Sequence, residues 1–171
     1  MMNGHKAPNG HVAALLELAD WAPTHGFTEP WRFIVYENPA LFCQQHADVY
    51  KQGISTDDFN ETVYNNLQHQ GDKASHVIIV TMERGSLPKI PPFEEVAAVS
   101  SAVQNMLLGA TALNMASLWS TGGAILKPGF KDFLQLREED QVIGVLYLGY
   151  SDQNPEGKRT VPLENKVKWI E

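Results

Sequence analysis

Thirteen residues, from Trp21 to Phe33, concentrate side chains that could bind a planar heterocycle. The segment reads Trp-Ala-Pro-Thr-His-Gly-Phe-Thr-Glu-Pro-Trp-Arg-Phe and holds two tryptophans, two prolines and one histidine. A planar ring needs apolar contact on its faces and hydrogen-bond partners at its edges, and a rigid aromatic turn can offer both. The same composition also fits a loop whose Trp21 and Trp31 fill the core, because tryptophan is seldom left in water. Composition alone leaves both interpretations open.

A second candidate segment is small and polar, and it consists of Trp119, Ser120, Thr121, Gly122 and Gly123. Glycines and small hydroxyl residues let backbone N–H groups approach the edge of a ligand. By itself, however, the pattern favours an ordinary turn, just as a lone histidine such as His25 favours a role in stabilising its own loop.

Other catalytic chemistries have little support in the sequence. Cys43 lies in a predicted helix without a His–acid pair to activate it, so we expect a buried thiol. No serine or threonine has an organised base for covalent hydrolysis. The other histidines show no metal-ligand spacing, which predicts no metal site, and we expect most of them on helix surfaces or in loops. They are His5, His11, His46, His69 and His76.

The chain length indicates a single domain spanning residues 1–171. The net charge of −7 makes a broad basic surface unexpected, so neither nucleic acid nor an anionic membrane is predicted as a partner. No apolar run reaches the length of a membrane span, and the first eight residues contain no signal-peptide core. A single cysteine favours a reducing compartment, and we therefore predict a cytoplasmic protein.

Hydrophobic periodicity predicts alternating helices and strands that would position these segments. Short apolar runs predict strands at 31–36, 77–81 and 142–148. Helical spacing predicts helices at 10–21 (capped by Asn9), 39–52, 56–70, 93–117 and 129–136. The helix at 93–117 is the longest, and Ser117 to Trp119 should lead from it into a loop. Residues 1–8 are predicted to be a frayed arm and residues 161–171 an extended tail.

Three segments together resemble a known family. They are the Trp21–Phe33 segment, Asn-Met-Ala-Ser-Leu-Trp-Ser-Thr-Gly-Gly at 114–123, and Val-Ile-Gly-Val-Leu-Tyr-Leu-Gly-Tyr at 142–150. In this order and spacing they resemble the small single-domain subgroup of NAD(P)H-dependent, FMN-binding nitroreductases. The resemblance implies an α+β, nitroreductase-like fold with a central, mostly antiparallel sheet flanked by helices and a long central helix. It also implies a homodimer that exchanges its C-terminal tails.

The resemblance further implies two FMN sites, each lined by both chains. Trp21 and His25 match flavin-contact positions of one subunit. The second subunit's contacts are matched by Trp119, Ser120, Thr121 and Gly122. The implied activity is reduction of nitro compounds, quinones or related small acceptors by ping-pong hydride and electron transfer, with NAD(P)H as co-substrate. Because the cofactor carries the chemistry, no acid–base residue is predicted to be catalytic.

One family feature is not matched: an Arg-Arg-Ser segment that holds the FMN phosphate, well before the position of Trp21. The remaining candidate cations are Lys6, Lys158 and Arg159, the last two resembling basic positions near the phosphate in some members. We therefore expect either weakened FMN affinity or a truncated N-terminus. Two rival hypotheses stay open: another enzyme on this fold, such as a reductive dehalogenase or a flavin-modifying enzyme, and a degenerate flavin-binding or dimeric interaction protein without turnover.

Overall fold

The computed structural model describes residues 2–153 and 156–170, and a four-stranded sheet lies at its centre. Its strands are β1 (Trp31–Tyr36), β2 (His76–Met82), β3 (Ala116–Ser120) and β4 (Gln141–Gly149). They lie side by side in the order β1-β2-β4-β3, and each neighbouring pair is antiparallel. This arrangement confirms the predicted antiparallel sheet.

Helices cover both faces of this sheet. One face carries α1 (Asn9–Asp20) and the long helix α4 (Pro92–Ala112), which pack against each other. The opposite face carries α2 (Pro39–Gln52), α3 (Glu61–His69) and α5 (Pro128–Phe133). Two short 3-10 turns, His25–Phe27 and Leu163–Lys166, complete the elements of the described chain.

The apolar runs in β2 and β4 form central strands because both faces of these strands are buried. Along β2, Ile78 and Val80 point into the core beneath α1 and α4, while Val77 and Ile79 point into the core beneath α2 and α5. This alternation divides the apolar interior into two layers, one on each side of the sheet.

A bulge interrupts the pairing of β4 with β2. Val80 lies opposite Gly144 and Thr81 lies opposite Val142, so that Ile143 is the extra residue. Gly144 has a φ of 145°, a conformation that side chains with a Cβ rarely adopt. The bulge lies beside the C-terminal end of β3, where the second candidate segment begins.

The predicted helix over 93–117 was wrong at its C-terminal end. Helix α4 stops at Ala112, Asn114 adopts a left-handed φ of 56°, and Met115 N–H donates to the Ala110 carbonyl at 2.8 Å. Asparagine tolerates this conformation, which is typical of helix C-termini. Ser117 to Trp119 therefore do not lead into a loop but form most of β3, whose pairing with β4 the local sequence does not reveal.

The frayed arm predicted for residues 1–8 was also wrong over residues 2–8, and Met1 lies outside the described residues. Asn3 N–H donates to the Tyr150 carbonyl at 2.8 Å, and Ala7 is buried with its N–H donated to Ser75 Oγ at 2.6 Å. The predicted cap at Asn9 is wrong as well, because α1 begins at Asn9 and its side chain instead bonds His76 Nε2 at 3.0 Å.

Candidate functional site

The loop from Thr24 to Glu29, hereafter the His25 loop, holds a strained backbone at the surface. Phe27 and Glu29 have positive φ values of 55° and 42°, which are uncommon for residues other than glycine. Two hydroxyls stabilise this shape: Thr24 Oγ1 lies 2.8 Å from Thr28 Oγ1, and it accepts the Glu29 N–H at 3.3 Å. Strain that is maintained in this way is typical of functional loops.

His25 is oriented by the first turn of α4. Its Nδ1 lies 2.6 Å from Oε2 of Glu94, and because a carboxylate only accepts, Nδ1 is the donor. The imidazole is mostly exposed, and no described residue makes a hydrogen bond to its Nε2. One edge of the ring is thus fixed by the protein, while the other is available to a ligand at the surface.

The aromatic residues around this loop divide into a buried and an exposed set. Trp31 is buried, and its Nε1–H donates to Asp20 Oδ1 at 2.9 Å, which joins the end of α1 to β1. Trp21 is 82% exposed and Phe27 is 90% exposed. The core-filling interpretation therefore holds for Trp31 alone, and Trp21 leaves its ring surface open for contact.

A partly buried ion pair supports the His25 loop from below. Arg84 pairs with Glu95 of α4, and its guanidinium also donates to the Ile90 carbonyl. The Glu83 N–H donates to the Pro30 carbonyl at 2.7 Å, which links this segment to the end of the loop. The pair and the backbone bond together fix the loop's position relative to α4.

The turn from Ser120 to Gly123, hereafter the Ser120 turn, begins at the C-terminal end of β3, beside the bulge of β4. Trp119 Nε1–H donates to the Ile143 carbonyl at 3.2 Å, so the indole lies across Gly144. Ser120 Oγ accepts the Gly122 N–H at 3.3 Å, and the Thr121 side chain is exposed. The turn therefore presents a half-buried indole and a hydroxyl at the protein surface.

His46, on α2, is a contact of this turn that the sequence reasoning missed. His46 and His76, which are both buried, are exceptions to the prediction that most of these histidines lie on helix surfaces or in loops. His46 Nε2 accepts the Ala124 N–H at 3.1 Å, directly after the turn. A signal was present, because His46 follows buried Phe42 at a spacing of four and so continues the apolar face of α2.

The two candidate segments lie on opposite edges of one sheet. The register aligns Trp31 with Met82 and Met82 with Gln141, so these residues mark one end of the sheet. Towards this same end, the Ser120 turn follows the last residue of β3 and the His25 loop precedes the first residue of β1. Three interstrand spacings separate the two edge strands, roughly 14 Å. Within one chain the two candidate segments are thus separate from each other.

The candidate cations differ in how they are bonded. Lys6 Nζ donates to the Ser75 carbonyl at 3.0 Å and to the Glu37 carbonyl at 3.4 Å, so it holds the N-terminal arm on the sheet. Lys158 and Arg159 are exposed, and Arg159 donates to the Lys158 carbonyl at 3.1 Å. Within residues 2–153 and 156–170 neither forms an ion pair, so both charges face solvent.

Three further features bear on the class of site. Across the described parts of the chain, no three His, Cys, Asp or Glu side chains are grouped so that they could hold a metal ion. None of the helices described here is both long enough and apolar enough to cross a membrane. Cys43 is buried, as predicted, and its Sγ accepts the Gly71 N–H at 3.2 Å.

The same fold occurs in solved structures. A nitroreductase-like family protein from Bacillus cereus superposes with a TM-score of 0.85 at 25% identity, covering 100% of this chain and 89% of that chain. A nitroreductase with bound FMN from Bacteroides fragilis NCTC 9343 gives a TM-score of 0.69 at 21% identity, covering 99% and 91%. These similarities define an α+β protein with a nitroreductase-like fold, as predicted.

Sequence comparison identifies the family. The model of the nitroreductase family matches residues 5–150. The "Putative NAD(P)H nitroreductase YfhC" of Bacillus subtilis (strain 168) is 25% identical over 162 residues, which cover 93% of this chain and 82% of that protein. The chain therefore belongs to the nitroreductase family, a family of oxidoreductases.

Proposed function

We propose that this protein is an FMN-dependent oxidoreductase that uses NAD(P)H to reduce nitro compounds, quinones or related small acceptors. The observation that carries the proposal is the pair of exposed half-sites at one end of the sheet, in a chain of the nitroreductase family. A relative named as an NAD(P)H nitroreductase and a structural neighbour with bound FMN support it.

The side chains present fit the chemistry of a flavin. Trp21 and Phe27 offer exposed aromatic faces, and His25 offers an imidazole edge that Glu94 orients. The Ser120 turn adds hydroxyl groups beside the Trp119 indole. Apolar surface beside a few polar groups is the combination that a planar heterocycle requires.

Each half-site has its own part in binding. His25 and Trp21 would contact the ring system or its phosphate side, and Trp119, Ser120, Thr121 and Gly122 would contact the ring edge. Gly122 N–H already has Ser120 Oγ as a partner. We therefore propose that the edge contacts come chiefly from the Ser120 and Thr121 groups. Polar groups fixed at a ring edge before binding stabilise charge there without reorganisation.

When bound, FMN supplies hydride acceptance from NAD(P)H and electron delivery to a second substrate in alternating, ping-pong steps. The protein's part is to bind the ring, orient its edge and shield its faces from water. No side chain of the chain has to act as a strong acid or base, and we propose no catalytic residue in that sense.

The phosphate of FMN is a dianion and requires cations or several N–H donors. Lys6 is already bonded to two backbone carbonyls, so it is a poor candidate. Lys158 and Arg159 face solvent and carry the positive charge that the phosphate needs. We propose that these two residues bind it.

A second copy of the chain completes each site in this proposal. The half-sites lie on opposite edges of one sheet, so a two-fold pairing would bring the His25 loop of one copy to the Ser120 turn of the other. Exposed apolar side chains on α4 and the tail support such pairing. They include Phe93, Leu108, Leu163, Trp169 and Ile170. We propose that residues 1–171 form one domain, which exchanges this tail with the partner.

Absorption spectroscopy tests the function. The apoprotein is titrated with FMN, and the complex is mixed anaerobically with NADH or NADPH and then with a nitroaromatic compound or a quinone. We expect saturable FMN binding, bleaching of the flavin absorption by the nucleotide, and its recovery on adding the acceptor. Binding without bleaching would indicate a flavin-binding protein without turnover, and no binding at all would overturn the proposal.

Sedimentation analysis tests the assembly. We expect the wild-type chain to sediment as a dimer. Replacing exposed Trp169 by Asp should shift the equilibrium towards monomers and weaken FMN binding in parallel, because each site would lose its second half. A monomeric wild-type chain that binds FMN tightly would contradict the shared site.

A further inference from the structure

We propose that His46 is a positioning residue for the Ser120 turn and holds its exposed groups where the flavin edge binds. The inference rests on the proposed function, because it assigns a task to the turn that would contact FMN. His46 itself is fully buried and does not reach the surface, so it would act only through the turn.

The geometry around His46 connects α2 directly to the turn. Its Nε2 accepts the Ala124 N–H at 3.1 Å. Gly123, with a φ of 66°, lies against the ring: a Cβ added there would be 2.9 Å from His46 Cε1 and 3.0 Å from Nε2. The backbone of residues 123 and 124 therefore rests on the edge of the imidazole.

The imidazole itself has little freedom to move. Its ring is 5.5 Å from the Phe42 ring and 5.6 Å from the Phe130 ring, measured between centroids. Aromatic neighbours on α2 and α5 thus fix the orientation of the ring before the turn docks on it. A rigid support of this kind lowers the entropic cost of ordering a binding loop.

The hydrogen bond also fixes the tautomer of His46. Because Nε2 accepts, a neutral ring carries its proton on Nδ1, and that atom is buried with no partner among the described residues. An apolar side chain of similar size would avoid this unsatisfied donor. Among the described residues, the ring's one hydrogen bond is that to the turn, so this bond is the contribution that distinguishes histidine from phenylalanine here.

The turn is then held at both ends, and between them it has a single internal hydrogen bond, from Gly122 N–H to Ser120 Oγ. Trp119 fixes the start through the Ile143 carbonyl, and His46 fixes the end through the Ala124 N–H. Ser120, Thr121 and Gly122 lie between these two fixed points. Losing the second point should let the residues with the proposed flavin contacts spread over several conformations.

The test compares two substitutions of His46. His46→Phe keeps the size of the ring but removes the acceptor. His46→Gln places an amide oxygen close to the position of Nε2 and cannot become charged. For each variant we would measure the FMN dissociation constant by flavin fluorescence and the amide hydrogen exchange of residues 121–124 in the apoprotein.

We expect His46→Phe to weaken FMN binding about tenfold and to accelerate exchange at residues 121–124, as for loss of one buried hydrogen bond. His46→Gln should restore both measurements to within about threefold of wild type. Gly123→Ala should act like His46→Phe, because its Cβ would push the turn away from the ring.

His76→Gln is the matched control. His76 is also a buried histidine with hydrogen bonds at both ring nitrogens, but it lies at the opposite end of β2 from the Ser120 turn. We expect it to lower the stability of the apoprotein without changing FMN affinity or the exchange of residues 121–124.

The outcomes separate the inference from the function on which it rests. If wild type binds FMN and His46→Phe binds it equally well, the positioning role is wrong and the proposed function stands. The role is also wrong if His46→Phe and His76→Gln weaken binding to the same extent. If wild type binds no FMN, the proposed function fails, and the role in flavin positioning fails with it.

Discussion

The His25 loop and the Ser120 turn face the same end of the sheet but are built in different ways. The His25 loop is shaped mainly by its own residues, through the hydroxyls of Thr24 and Thr28 and the strained φ values of Phe27 and Glu29. The Ser120 turn has one internal hydrogen bond, and its shape depends on residues far away in sequence, the bulge at Gly144 and the ring of His46.

This difference predicts different responses to substitution. A loop that is shaped locally can lose one exposed contact and keep its conformation. Substitutions of its side chains can therefore change ligand affinity without much effect on stability. A turn that rests on buried residues couples affinity to the core, because any change beneath it also disturbs packing. Four measurements can sharpen or break this contrast.

The largest effect is expected beneath the Ser120 turn, for Gly144→Val. The first atom of the new side chain would overlap Trp119 Nε1 and lie 2.9 Å from the Ser120 carbonyl, in a backbone conformation unsuited to valine. We expect urea denaturation to show a loss of about 3 kcal/mol or more in the free energy of unfolding. Gly122→Ala is the control, because a Cβ there would meet only Ser120 Oγ at 3.7 Å. Equal losses in both variants would break the contrast.

A pH series should reveal the buried support of the same turn. Burial lowers the pKa of His46 from 6.5 to about 4. The unfolded chain therefore gains a proton near pH 6.5, which the folded chain does not accept until about pH 4. Stability is complete above this window, falls by about 3 kcal/mol as the pH drops through it, and then levels off.

His46→Gln removes this contribution and leaves the other titrating groups in place. We therefore expect the difference in unfolding free energy between wild type and the variant to change in favour of the variant as the pH falls from 6.5 to 4. A difference that is constant over this range would show that His46 is not held neutral in the folded protein.

A smaller effect on stability is expected at the His25 loop. Glu94→Gln replaces the charged partner of His25, and both side chains are substantially exposed, so the free energy of unfolding should change by less than about 1 kcal/mol. FMN affinity should fall about fivefold to tenfold, because a neutral amide oxygen holds the imidazole less firmly than a carboxylate does. Glu61→Gln, in the first turn of α3, controls for loss of a helix-end charge and should leave affinity unchanged.

The smallest effect on stability is expected in the tail, for Arg159→Ala. The side chain is exposed, so the free energy of unfolding should stay within about 0.5 kcal/mol of wild type. If Arg159 binds the phosphate, affinity for FMN should fall several-fold while affinity for riboflavin, which lacks the phosphate, stays the same. Lys166→Ala serves as a control cation in the same tail. If riboflavin binding falls by the same factor as FMN binding, Arg159 does not act through the phosphate.

Sequence patterns predicted strands β1, β2 and β4 and, among the five helices, α1 and α2 well, for local reasons. The runs in β2 and β4 are apolar on both faces, and β1 is marked by its aromatic and β-branched residues. Helix α2 matched its prediction over 39–52, since Asn38 accepts the Ala40 N–H at its start and Gly53 follows its end. These signals lie within a few residues of the elements they define.

Strand β3 was missed because its segment continues the apolar spacing of α4. The left-handed conformation at Asn114 ends the helix, and pairing with the edge of β4 then forms the strand. That pairing is a tertiary property, which the local sequence does not carry. The N-terminal arm was misjudged for the same reason, since its partners Tyr150 and Ser75 are far away in the chain.

By itself, the sequence determined the family, the α+β architecture and the residue types at the candidate site, because the Trp21–Phe33 and Asn114–Gly123 motifs carry that information locally. The tertiary structure decided which of those residues are exposed and what holds them. It buried Trp31 and exposed Trp21, paired His25 with Glu94, and placed His46 under the Ser120 turn. These contacts join residues that are distant in the chain, and only packing of the helices on the sheet brings them together.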